Sequence, residues 1–145
     1  MTIAALIAWL VTAVGGFVLL GTWIAKGGTR SPRTSHFPPA VIFGHFALAA
    51  AGLVVWIVYA VAGGAALAWI AFVLLVPVAA LGFTMLARWI PAYRARNAAT
   101  VGAGVGGTAT ADVPEQHFPV VVVGAHGLLA VTTVVLVLLA ALGVG

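Results

Sequence analysis

The sequence predicts an all-α integral membrane protein, a bundle of four transmembrane helices. Composition is the first observation behind this. Of 145 residues 64% are hydrophobic and 6% are charged, and the mean hydropathy is +1.26. Soluble domains carry about 25% charged residues, so six basic and two acidic side chains cannot clothe a water-soluble surface. The second observation is four apolar runs, each long enough to cross a bilayer at about 20 residues. The third is that these runs are continuous rather than alternating, which excludes a membrane barrel. A soluble catalytic domain, a Rossmann fold and a disordered chain are excluded as well.

The first run spans roughly Ile3 to Ala25. It lacks a basic leading segment and exceeds a signal-peptide core, so it reads as an uncleaved helix. The second starts at Pro38–Pro39 and continues to about Ala62, with the prolines in the first turn, where a missing N–H costs nothing. Gly63–Gly64 makes a tight turn into the third run, about Ala65 to Ile90, which holds Pro77 inside and ends before Pro91. Pro77 is expected to kink that helix or free a carbonyl. The fourth runs from Pro119 to about Gly143. Residues 97–116 read as a flexible loop, with Val101 to Ala111 rich in Gly, Ala and Thr. The spacing Gly102-x-Gly104-x-x-Gly107 in that loop lacks the strand and βαβ unit that a dinucleotide site needs, and is set aside.

Lys26, Arg30, Arg33, Arg88, Arg94 and Arg96 all fall at one end of the bundle, with Asp112 and Glu115. The positive-inside rule then places both long loops in the cytoplasm and both termini outside the cell (inner or plasma) membrane. The isoelectric point near 10.9 is thereby explained by topology and contact with the lipid bilayer, and no nucleic acid is expected as a partner.

The chain has no cysteine, which excludes disulfides, iron–sulfur clusters, thiolate metal sites and covalently attached haem. Histidine is the strongest remaining ligand, and the four histidines fall in a pattern. His36-Phe37-Pro38 and His117-Phe118-Pro119 open the second and fourth helices, and nine residues after each histidine comes another, His45 and His126. Gly16-Phe17-x-x-Leu20-x-x-Trp23-Ile24 likewise matches Gly82-Phe83-x-x-Leu86-x-x-Trp89-Ile90. The chain reads as an internal duplication in one domain, with repeats at about 1–63 and 65–145. Each repeat is a helical hairpin, and the two are related by a pseudo-two-fold axis along the membrane normal.

His45 and His126 are then expected at equal depth, roughly 10–13 Å inside the ends of their helices. Such a matched pair suits axial ligation of one metal centre on the pseudo-dyad, and a non-covalent haem b fits an apolar bundle best. Gly44, Ala125 and Gly127 beside the histidines would let a ring approach, as would Gly15, Gly16, Ala80 and Gly82 on the other helices. His36 and His117 are expected at N-caps or in the interface, holding haem propionates with Arg33 or Arg88, forming a second metal or haem site, or lining a quinone pocket. Trp23 and Trp89 read as a membrane aromatic belt.

Four helices with histidines paired across two of them resemble the four-helix transmembrane b-type cytochromes. That resemblance implies bis-histidyl haem passing electrons among quinols, reductants and acceptors. Di-haem members space two ligands on one helix more widely than the nine residues found here, which favours one haem on His45 and His126. The expected function is a membrane electron carrier rather than a stand-alone enzyme, exchanging electrons with quinone or a respiratory partner, alone or as a homo-oligomer. No carboxylate lies in any span. Two alternatives stand beside this reading: a histidine-based site for copper, zinc or iron, and an accessory subunit of a larger membrane complex.

Overall fold

The computed structural model describes residues 1–30, 35–102 and 113–144, with the side chains of 99–102 excepted. Arg33, Asp112 and the centre of the glycine-rich loop lie outside the described residues. Helix α1 spans Thr2–Ala25, α2 Pro39–Ala62, α3 Ala65–Gly102 and α4 Val120–Ala141, with a 3₁₀ turn at Pro114–His117 before α4. All four α-helices are long and apolar enough to cross a membrane, as the apolar runs predict.

Local chemistry sets the ends. Helix α1 closes on a Schellman motif: Gly27 takes φ 87°, its N–H donates to Ile24 O and the Gly28 N–H donates to Trp23 O. Between α2 and α3, Gly63 and Gly64 take φ 72° and 97°, so the tight turn needs glycine at both positions. The third helix departs from expectation. It does not stop at Ile90 but runs through Pro91 to Gly102, so residues 97–102 are helical rather than loop. One proline removes a single ladder bond, and the following Ala- and Arg-rich stretch has high helix propensity.

Helix α1 packs mainly along α4 and α2 along α3, with lighter contacts between α3 and α4 and between α1 and α2. The diagonals of the bundle are therefore α1 with α3 and α2 with α4. Consecutive helices within each predicted repeat are not the closest partners. The two-residue turn forces α2 against α3, whereas the longer connections on either side let α1 and α4 meet.

Two apolar clusters fill the interior. One, away from the basic end, joins Ala5, Trp9, Trp56, Ala71, Leu75 and Val137. Gly52 lets the Trp9 ring approach α2 there, since a Cβ at that position would lie 3.0 Å from it. The other, at the basic end, joins Trp23, Phe37, Ile42, Trp89 and Phe118. Trp23 is fully buried and Trp89 is 6% exposed, so the tryptophans are core residues and not a lipid-facing belt. A helix apolar on every side gives no sequence periodicity to reveal which face turns inward.

Candidate functional site: a histidine pair and a buried carboxylate

His45 on α2 and His126 on α4 meet across the bundle between the two clusters. Their ring centroids are 6.4 Å apart with 56° between the planes. Each lies six residues into its helix, roughly 9 Å from its start. His45 Nδ1 is 2.9 Å from Val78 O on α3, and His126 Nδ1 is 2.9 Å from Thr12 O on α1. A carbonyl only accepts, so both rings carry hydrogen on Nδ1 and each leaves the lone pair of Nε2 as its acceptor.

The small residues of α1 and α3 accommodate these rings. A Cβ at Gly15 or Gly16 would stand 3.4 and 3.2 Å from His126, and one at Gly82 would stand 3.4 Å from His45. Ala80 is exposed and takes no part. Nothing lies within 4 Å of a Cβ added at Gly44 or Gly127. Pro77 is not the source of the carbonyl that His45 uses: a proline there leaves Val73 O without its helical donor, not Val78 O.

The outer histidines are organised differently. Neither is an N-cap residue, since Pro38 and Pro119 hold those positions. His36 lies in the segment before α2, with its side chain 58% exposed, and its Nδ1 is 2.8 Å from Glu115 Oε1. His117 ends the 3₁₀ turn. Phe37 and Phe118, which follow them, pack with centroids 6.0 Å apart.

Glu115 is the buried charged side chain that sequence reading missed. It is completely buried. Its Oε1 accepts from the His36 backbone N–H at 2.6 Å, and its Oε2 accepts from Ser35 Oγ at 3.0 Å. Ser35 Oγ in turn accepts from Trp23 Nε1 at 3.0 Å and from the Phe37 N–H at 3.0 Å. On α3, Arg88 Nη1 donates to His36 O at 2.9 Å, and Arg96 Nη1 donates to Gln116 O at 2.7 Å. The segments before α2 and α4 are thus tied to each other and to α3. The available signal was a carboxylate two residues ahead of the second His-Phe-Pro, in a chain with two acidic residues.

Among the described residues, no three His, Asp or Glu side chains come together as a metal site. Compared with known proteins, the chain matches no family model, no curated protein and no solved structure.

Proposed function

We propose that the protein is a membrane electron carrier holding one haem b between α2 and α4, with His45 and His126 as axial ligands. The observation that supports this is the geometry of the pair. Two imidazoles facing each other across one metal, with bonds of about 2.0 Å, place their centroids a little over 6 Å apart, and these lie 6.4 Å apart. Each ring also has its Nδ1 anchored on a backbone carbonyl, the outer-shell bond that orients a metal-binding histidine and raises its basicity.

The donor set favours a macrocycle over a bare ion. Copper, zinc or iron without one would find two protein nitrogens here, fewer than such ions take from protein sites. A tetrapyrrole brings four equatorial nitrogens of its own, and glycine at 16, where a Cβ would stand 3.2 Å from His126, keeps a side chain off the flank of that imidazole. Bound haem would supply one-electron exchange. Its exchange partner, quinone or a respiratory protein, would meet it through the basic end, which the positive-inside rule places in the cytoplasm.

The same reading treats the bundle as a duplicated unit with a pseudo-two-fold along its axis. In support, Thr12 precedes Gly16 by four residues, as Val78 precedes Gly82. These are the carbonyls and glycines that meet His126 and His45. Trp56 and Val137, each eleven residues after its histidine, are both fully buried. His36 is engaged with Glu115 and Arg88 with the His36 carbonyl, and we assign them to a second site rather than to haem propionates.

The test is a visible spectrum of the full chain, expressed with haem available, purified in detergent, and recorded oxidised and then dithionite-reduced. A Soret band with sharp reduced α and β bands is expected. Protein that is colourless under those conditions overturns the proposal.

A further inference from the structure

The groove beside His36 has chemistry that the histidine pair does not use. It is an open space of about 660 Å³ between the segment leading into α2 and the far part of α3, lined by Ser35, His36, Pro38, Pro39, Ala87, Arg88 and Pro91. We propose that it binds the headgroup of one anionic phospholipid, with Arg88 holding the phosphodiester and the apolar walls receiving the glycerol backbone. This inference does not depend on the haem.

Four features carry it. Arg88 is exposed, and its hydrogen bond to His36 O occupies a single donor of the five on a guanidinium. A planar fork of donors fixed in place is suited to phosphate. The walls are proline and alanine: Pro38, Pro39, Ala87 and Pro91 take up the apolar part of a ligand at the level where α2 begins. The groove also offers an acceptor, because Pro91 has no N–H to give to Ala87 O in the helical ladder. A headgroup that carries hydroxyls beside its phosphate, as glycerol does, meets both demands. Lastly, Lys26, Arg30, Arg94 and Arg96 are exposed at the same end, so the field there favours anionic over zwitterionic lipid.

Glu115 and His36 position the groove rather than contact the phosphate. The buried carboxylate holds the His36 backbone and ring, and the carbonyl of that residue holds Arg88. Arg88 is thereby held at the edge of the groove by a chain of bonds that starts at Glu115, in the 3₁₀ turn before α4.

The experiment is a lipid titration of the delipidated 145-residue chain in detergent, read by native mass spectrometry, with phosphatidylglycerol and phosphatidylcholine in parallel. One phosphatidylglycerol is expected to bind in preference to phosphatidylcholine. Arg88→Gln should weaken it about fivefold, the effect of one basic side chain near a charged headgroup. Ala87→Leu, which leaves every charge in place and fills the groove, should weaken it comparably, whereas Lys26→Gln should have a smaller effect. Equal binding of the two lipids overturns the proposal. So does an Arg88→Gln protein that keeps the preference, or a loss with Lys26→Gln as large as with Arg88→Gln. Displacement of the lipid by millimolar inorganic phosphate also overturns it, because the site would then be one for free phosphate.

Discussion

The imidazoles of His45 and His126 approach to 6.4 Å between centroids although α2 and α4, which carry them, are diagonal in the bundle. Each ring reaches the centre by bonding a carbonyl on the helix beside its own: Val78 O for His45 and Thr12 O for His126. The contact therefore ties all four helices together at one level, and the Nδ1 contacts leave the two Nε2 atoms unprotonated.

If one haem is shared by that pair, either histidine alone is insufficient. His45→Ala and His126→Ala should each convert the low-spin six-coordinate spectrum to a five-coordinate one or abolish haem retention. His36→Ala and His117→Ala should leave the α and β bands in place. The reverse ranking in reduced-minus-oxidised spectra would show that the outer pair carries the cofactor.

Glu115 is expected to matter for stability with or without haem. Glu115→Ala removes the acceptor for the His36 N–H, the Ser35 hydroxyl and His36 Nδ1. Orphaned buried donors cost about 1–3 kcal/mol each, and less where water can reach them. A loss of about 2 kcal/mol is expected, read as a lowered Tm in detergent. Glu115→Gln, whose amide oxygen still accepts, should lose less. Unchanged melting of Glu115→Ala would mean that the carboxylate does not hold the two segments together.

The histidines and the carboxylate differ in how visible they were beforehand. Four apolar runs and a Gly63–Gly64 break dictate four helices, because backbone in lipid has no other way to satisfy its hydrogen bonds. His45 and His126 stood out through their matched spacing from His-Phe-Pro. Glu115 did not, since a lone acidic residue in a polar connection reads as solvated. Its burial depends on the segment before α2 arriving from 79 residues away. The inward turn of Trp23 and Trp89 was equally hidden: on a helix apolar all round, burial is decided by neighbours and not by pattern.

Three glycines should rank by the space that each leaves. A Cβ at Gly28 would fall 2.1 Å from the buried Trp23 ring, a clash that neither neighbour can relieve, so Gly28→Ala should be the most destabilising. Gly52→Ala meets Trp9 at 3.0 Å and should cost about 1–3 kcal/mol as overpacking. Gly82→Ala stands at an ordinary 3.4 Å from His45 and should be neutral, or stabilising by up to about 1 kcal/mol through helix propensity. Thermal unfolding of the three variants in one detergent checks the order, and a Gly82→Ala protein less stable than Gly52→Ala would contradict it.

The buried tryptophans of the basic-end cluster provide a last comparison. Trp23 Nε1 donates to Ser35 Oγ at 3.0 Å, whereas Trp89 Nε1 is buried with no partner among the described residues. Trp23→Phe and Trp89→Phe shrink the same ring type in the same cluster, so both pay a cavity cost. They differ at the indole N–H. Trp23→Phe also breaks the first link of the chain that runs through Ser35 to Glu115, worth about 1 kcal/mol. Trp89→Phe instead removes an unsatisfied buried donor, which offsets part of its cavity. Trp23→Phe should therefore melt lower than Trp89→Phe. Combining it with Glu115→Ala should give less than the sum of the two single losses, because both cut one hydrogen-bond network. Equal melting of the single variants, or additive losses in the double, would show that the network does not act as a unit.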